Sequence, residues 1–458
     1  MKKYCLVLLF FSLSVSAQIV FVKTFGGPGN DRANSMKKTS DGGFIFAGSS
    51  GQAGGDVTQE FPGQYMWVWK TSSSGTIEWQ KSLLLGTFGF DEAFDIVPVA
   101  DGYVLAGSEV FSAYVANAAA IKLDADGNVM WHQQFNSGPA STGGRYIRQL
   151  PDGAFVFTGT TALPHCCSEF FVRKLNSAGE LIWSHSGASY TAQTLAIYPN
   201  GVSLFVTTGV AGSVPAGASV KKYDANGLLW NSVYYPSGFS YYPNSVILTD
   251  DGGFLLAGKN LNDGIVTKFD SANAITWNHI YNKNAIDEIS SIKPTPDGGY
   301  IAAGTSDSDI WLLKITATGE LEWEQTFGGS GIEIVNEIIS LSDGTYMISG
   351  STTSTDGIFS QNHGGSDGFM LKFNPSLLQI SEHQQPSPVI FPNPVADFAT
   401  IQVPDDLAFE ASVYDLTGKL LLKQKSDSTI DLRLLASGVY IIVIQTEAES
   451  YRQKLVKR

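Results

Sequence analysis

Six tryptophans, Trp79, Trp131, Trp183, Trp230, Trp277 and Trp323, each end a stretch of the form apolar-Lys-x-x-x-x-Gly-x-x-x-Trp, with small variations. By subtraction they lie 52, 52, 47, 47 and 46 residues apart. A unit of that length, made of short apolar runs and Gly-rich turns, holds four short strands. It cannot bury both faces alone, so copies must pack around an axis. The expected fold class is all-β, with a β-propeller as the main body.

Each unit carries one tight-turn signal at a similar place: Asp41-Gly42, Asp101-Gly102, Asp152-Gly153, Asn200-Gly201, Asp251-Gly252, Asp297-Gly298 and Asp343-Gly344. Such pairs tolerate the positive φ that a hairpin turn demands. Seven turns predict seven blades. In the sixth, strands are expected over 290–294, 300–303, 310–315 and 321–326. Their apolar residues come in pairs and triplets more often than in strict alternation, as in sheets covered on both faces. The tryptophans are expected to be structural, each burying its ring in a seam between blades.

The start of the array explains how the ring closes. Phe21-Val22-Lys23-Thr24-Phe25-Gly26-Gly27 matches Trp323-Glu324-Gln325-Thr326-Phe327-Gly328-Gly329, an outermost strand, yet it precedes the first blade. The seventh blade lacks such a strand after Phe373. Residues 19–25 are therefore expected to pair with 369–373, which removes the open sheet edges.

Residues 1–17 read as a secretory signal peptide: Lys2 and Lys3, an apolar run from Leu6 to Leu13, then the small residues Val15 and Ala17. That run is shorter than the roughly 20 residues a membrane span needs. The chain has a net charge of −14, and loss of the two lysines takes it to about −16. An acidic surface disfavours phosphate backbones, so no nucleic-acid partner is expected. With three cysteines in 458 residues, disulfides do not hold the fold together. A monomer is expected.

The unit Leu123-Asp124-Ala125-Asp126-Gly127-Asn128-Val129-Met130-Trp131 resembles the tryptophan-docking repeat of quinoprotein-type propellers, with a turn about one residue shorter. The adjacent Cys166-Cys167 is the feature that points toward the alcohol-oxidising members of that family, which carry a vicinal disulfide against the quinone. Those enzymes resemble eight-bladed rings with a calcium site and a catalytic Asp, and neither motif is found here. A local disulfide or two thiols in a loop is the plainer reading.

After Phe373 the composition shifts, and residues 381–390 read as a polar linker between a propeller over 18–380 and a final segment over 391–458. That segment alternates like short antiparallel strands at 399–403, 411–414, 419–423 and 439–445, predicting a small β-sandwich. It resembles the type A C-terminal sorting domain of the type IX secretion system. The matching residues are Phe391-Pro392-Asn393-Pro394, Val413-Tyr414-Asp415-Leu416-Thr417-Gly418-Lys419, Ile430-Asp431-Leu432, Leu435-Ala436-Ser437-Gly438-Val439-Tyr440 and Lys454-Leu455-Val456-Lys457-Arg458. The resemblance implies export through the translocon, removal of the tail within the linker by a sortase-like peptidase, and release or attachment at the outer cell surface.

Two long loops, 49–65 in blade one and 351–367 in blade seven, become neighbours on closure. They offer Asp56, Glu60, Phe61, Tyr65, Asp356, Phe359 and His363 as a candidate ligand-binding wall for a glycan or a protein. Tyr234-Tyr235-Pro236 and Tyr241-Tyr242-Pro243 suit packing against a proline-rich loop better than sugar stacking. Asp307 with Asp309, or Asp367 among glycines, offers oxygen atoms to calcium without completing a calcium loop. No other cofactor or metal is expected. The histidines, His132, His165, His185 and His279 among them, are scattered, and no His-x-x-x-His or Cys-x-x-Cys spacing occurs. No catalytic constellation emerges. The expected function is a secreted, non-catalytic binding module. The rival is a propeller hydrolase or lyase acting on extracellular polysaccharide, with a quinoprotein-type oxidoreductase behind it.

Overall fold

In the computed structural model, the described residues are 19–458 except 60, 114, 137–140, 163–167, 189, 210–217, 225, 228, 235–240, 376–387, 404–407, 416–417, 426–427 and 447–449. The expected signal peptide over 1–17, Glu60, His165, Cys166, Cys167, Tyr235, Pro236 and most of the expected linker over 381–390 lie outside them, as does the side chain of Trp230. The chain divides into two compact units, 1–375 and 376–458.

Unit one is a ring of seven four-stranded antiparallel sheets. Blade one runs through Arg32–Lys38, Phe44–Ser50, Tyr65–Thr71 and Ile77–Leu83. Blade six runs through Asp287–Pro294, Tyr300–Ser306, Asp309–Ile315 and Leu321–Phe327, enclosing each of the expected runs. The first strands of successive blades touch one another around a closed cycle, so they form the wall of the central channel. Every residue of Phe44–Ser50 and of Tyr65–Thr71 is buried, because neighbouring blades cover both faces of these middle strands. The core is thus divided among the seams. One cluster joins Ile45, Met66 and Val68 of blade one to Ile96, Leu105 and Ile121 of blade two.

Blade seven comprises Glu333–Ser340, Tyr346–Thr352 and Asp367–Phe373, and the strand Ile19–Phe25 completes it. Val22 pairs with Leu371, Thr24 with Phe369 and Phe25 with Gly368, the closure expected from the sequence match. Phe25 is buried among Phe46, Trp67 and Trp69 of blade one and Met347 and Met370 of blade seven.

The tryptophan rings depart from full burial. Trp79, Trp131, Trp183, Trp277 and Trp323 are each half-buried, since they stand on the outermost strand, where only one edge of the seam covers them. Trp79, Trp131, Trp183 and Trp277 each lie against a positive-φ glycine in the outer hairpin turn of the following blade: Gly127, Gly179, Gly227 and Gly319.

Unit two is a sandwich. Val389–Phe391, Phe398–Gln402 and Thr429–Asp431 form one sheet; Leu420–Lys425, Phe409–Tyr414, Gly438–Thr446 and Ser450–Lys457 form the other. Ile390, Ala399, Ile401 and Ile430 meet Ala411, Val413, Ile442, Ile444 and Leu455 in a shared core. The strands at 389–391, 429–431 and 450–457 were not apparent in the sequence. Two have only three residues, and the last is charge-rich because it forms an edge.

The sorting-motif residues have concrete structural tasks. Asn393 Oδ1 accepts the Val456 N–H at 2.9 Å and its Nδ2 donates to the Lys454 carbonyl at 2.6 Å, so an amide side chain imitates a strand neighbour along the edge. The peptide bonds before Pro392 and Pro394 are cis. Gly418 takes φ +86° in a hairpin turn where Asp415 Oδ1 accepts the Lys419 N–H at 3.0 Å. The Tyr440 hydroxyl donates to the Ala436 carbonyl at 2.7 Å, just before the strand starts at Gly438. Lys457 is buried, with its ammonium on the Ala396 carbonyl and 3.7 Å from Asp397, whereas Lys454 is exposed.

Candidate functional site at the channel mouth

Every channel-wall strand is broken once by a register shift, and at the same place in each blade. The shifts leave Asn34, Phe94, Arg145, Gln193, Asn244, Ser290 and Asn336 as the extra residues. A bulge bends its strand and re-aims the side chain it carries. Six of these seven residues line a cavity of about 520 Å³ at the starts of the first strands, together with Arg32, Glu92, Tyr146 and Glu288. That is the face on which blade-to-blade connections run: they bond to the loops between second and third strands, as Asp31 N–H does to Ser366 O at 2.6 Å and Glu333 N–H to Ser308 O at 2.7 Å.

The mouth is polar and its acids are engaged. Asn34 donates to Glu92 Oε1 and to the Ala93 carbonyl, both at 2.9 Å, and Arg32 stands 3.5 Å from the same glutamate. Asn244 repeats the arrangement with Glu288 at 2.7 Å and the Ile289 carbonyl at 3.0 Å. Asn336 donates to the Ala33 carbonyl at 2.7 Å across the closing seam. The Arg145 guanidinium lies 4.1 Å over the Phe94 ring. Arginine in such a stack keeps its in-plane N–H groups free to meet a ligand.

Further along the strands the channel narrows to a chamber of about 100 Å³. Lys37 sits 2.5 Å from Glu337 and 3.6 Å from Asp95, and Arg148 is ion-paired to Asp95 as well. Burial by itself would push the Asp95 carboxyl up, but Arg148 and Lys37 outweigh it and hold the group below the ordinary carboxylate range.

The two long loops do meet. Gly364 packs on Pro28, and His363 stands beside Gly55. Most of their candidate side chains brace the loops. Asp56 accepts the Gly26 N–H at 3.3 Å, and Asp356 accepts the Ser330 N–H at 2.6 Å in the connection one blade earlier. Phe359 is buried against Phe369, with ring centroids 5.1 Å apart. Tyr65 is buried, donates to the Gln59 carbonyl at 2.9 Å, and packs edge-on to Phe61. His363 and Asp356 are exposed. His363 Nδ1 is 2.7 Å from Asp367 Oδ2. Among the described residues no group of three or more His, Cys, Asp or Glu side chains is placed to hold a metal ion. Asp307 is occupied by the Ile286 N–H at 3.0 Å, and Asp309 stands beside Glu333 around Gly328.

The bulge ring escaped the sequence reading, although a signal for it exists. Each bulge residue falls seven positions before the Asp or Asn of its blade's first turn: 34 before 41, 94 before 101, 145 before 152, 193 before 200, 244 before 251, 290 before 297 and 336 before 343. Counting back from the turns finds the ring; residue type does not, because the seven residues differ.

The unit over 19–375 is therefore a closed seven-bladed β-propeller with a polar channel mouth on its loop face. Residues 389–458 match the family described as the secretion system C-terminal sorting domain. The protein is a β-propeller that carries a type IX sorting tail, and it is exported to the cell surface or beyond the cell. Similar solved structures include the Dos1 propeller (11% identity, 78% of this chain and 96% of that one, TM-score 0.48). A protein from Lactobacillus plantarum shares 14% identity over 84% of this chain and 99% of that one, with a TM-score of 0.47. An extracellular domain assigned to a hybrid two-component system of B. thetaiotaomicron shares 13% identity over 93% of this chain (TM-score 0.43), and this chain spans 55% of its length. At these identities the likeness concerns the fold. No curated protein matches the sequence.

Proposed function

We propose that the propeller is a non-catalytic binding module that takes an extracellular ligand, a glycan or a protein, at its channel mouth. One observation carries this reading: Glu92 and Glu288, the mouth's acids, are each held by a bulge asparagine, and Glu92 also by Arg32. A carboxylate engaged in this way is poorly placed to trade protons with a substrate. With their amide hydrogens turned to these partners, Asn34, Asn244 and Asn336 keep their amide oxygens as acceptors, and Arg145 and the Ser290 hydroxyl add donors, so a rigid ring carries directional polar atoms, which suits recognition. His363 and Asp356 on the long loops extend the contact surface, and calcium, if it takes part, binds between protein oxygens and ligand.

Delivery is the task of the tail. The type IX translocon reads residues 391–458, and the sortase-like peptidase separates them from the propeller within 381–390.

The test is a glycan and peptide array on the mature protein with and without calcium, with reducing-sugar release followed in parallel. Binding without turnover, weakened at least tenfold by Arg145→Ala, is expected. Sugar release that persists through purification would replace this reading with the hydrolase.

A further inference from the structure

The chamber below the mouth has an excess cation. Lys37, Arg148 and Lys293 line it together with Asp95 and Glu337. Lys37 pairs with both acids and Arg148 with Asp95, while no carboxylate stands within ion-pair distance of Lys293 among the described residues. Above it, Arg32 and Arg145 stand at the mouth with Glu92 and Glu288. Residues 19–375 contain only four arginines, and Arg32, Arg145 and Arg148 are at the channel; only Arg173 is elsewhere. Within a chain of net charge −14, the propeller thus places three of its four arginines around one opening, whose focused field favours anions over the rest of its surface.

We propose that the chamber binds the carboxylate of an acidic sugar, with the Lys293 ammonium as its counter-ion and the Ser245 and Ser291 hydroxyls beside it. This rests on the binding-module reading and names its ligand class. A volume of about 100 Å³ admits a carboxylate and not a whole sugar ring, whereas the mouth's 520 Å³ holds the ring and its neighbours. The mouth offers amides from three blades, hydroxyls and engaged carboxylates around its circumference. That distribution matches a ring bearing several hydroxyl groups. A peptide would instead call for an open strand edge or apolar side-chain pockets, and the mouth's aliphatic lining is confined to Ile334 and Val335. Burial first, then the nearby Lys37 and Arg148, push the Lys293 ammonium below its ordinary range against the opposing pull of Glu337 and Asp95.

The test is calorimetric titration of the full mature chain with oligogalacturonate, neutral oligogalactose, inorganic phosphate and an acidic peptide. Oligogalacturonate is expected to bind at least tenfold more tightly than the neutral oligomer, with the preference weakening in high salt. Lys293→Met should abolish the preference and leave neutral-sugar binding in place; Lys293→Arg should retain it. Thermal unfolding of both variants checks the fold. Unchanged preference in Lys293→Met overturns the proposal. So does tighter binding of phosphate or peptide than of oligogalacturonate. Neutral and acidic sugars bound alike would overturn it and leave the binding module standing; no binding by any probe would also overturn it, and the glycan and peptide array then decides the binding-module reading.

Discussion

A methyl group placed on Gly127 would stand 2.6 Å from Cζ3 of Trp79, so the outermost strand of blade one packs its ring into space that only a glycine in blade two leaves open. Gly127 also has φ +80°, which an L side chain resists. Gly153 shares that conformation, at φ +82°, with nothing within 4 Å. Gly127→Ala should therefore cost about 2–4 kcal/mol, the left-handed strain plus overpacking, and Gly153→Ala about 1–2 kcal/mol. Denaturant unfolding of the two variants decides it; equal losses would mean the ring yields freely.

Ring closure depends on a strand taken from the far end of the propeller sequence. Phe25 lies 5.6 Å from Phe46 and 5.9 Å from Trp69 by ring centroids, and is fully buried. Phe25→Ala should cost about 3–5 kcal/mol. Deleting 19–25 exposes the edge of Asp367–Phe373, and light scattering should then show concentration-dependent association. A monomer with unaltered melting would contradict this account of closure.

Two buried aspartates should respond to pH with opposite signs. Asp95 is held below the ordinary value of 3.8, so its contribution is present above that pH and is lost as pH falls through the folded value. Burial raises Asp367, whose Oδ1 has no hydrogen-bond partner, and Asp31 beside it adds repulsion. The folded state then binds the proton more tightly than the unfolded chain, and stability falls as pH rises from near 3.8 through the folded value. Asp367→Asn should stabilise the protein by about 1–2 kcal/mol at pH 7 and remove that slope. Asp95→Asn should destabilise it by about 3 kcal/mol at pH 7, with the loss shrinking in acid. Melting curves from pH 3 to pH 8, a window on the order of the carboxylate range, separate the two.

Asn393 makes two hydrogen bonds to the last strand, so Asn393→Ala should cost unit two about 1–2 kcal/mol. Hydrogen exchange at the Val456 amide should rise in proportion. Protection equal to that of the native chain would show that solvent replaces the side chain without loss.

The repeat, the seven turns, the closing strand and the sorting tail were legible because each depends on local chemistry: a turn needs positive φ, a strand needs its apolar run, and Phe21–Gly27 repeats Trp323–Gly329 in type and order. The candidate wall of Asp56, Tyr65, Asp356 and Phe359 was read from loop length, and the structure places those side chains largely in bracing contacts. Loop length says that a segment is long and leaves open which of its atoms are used to satisfy the loop's own backbone. The three added strands of unit two were hidden because short and edge strands carry little apolar pattern.

The sequence alone determined the blade count, the all-β class, the closure and the export tail, since these follow from motifs that recur or match within one chain. Only the tertiary structure decided what faces the channel. Asn34, Arg145, Asn244 and Lys293 are far apart in sequence and unlike in chemistry, and they become one site because seven bulges at one height turn their side chains or neighbours toward a common axis. Likewise, an ion pair or an unmatched cation is a property of distances, and whether Lys37 or Lys293 meets Glu337 is fixed only when the ring has closed.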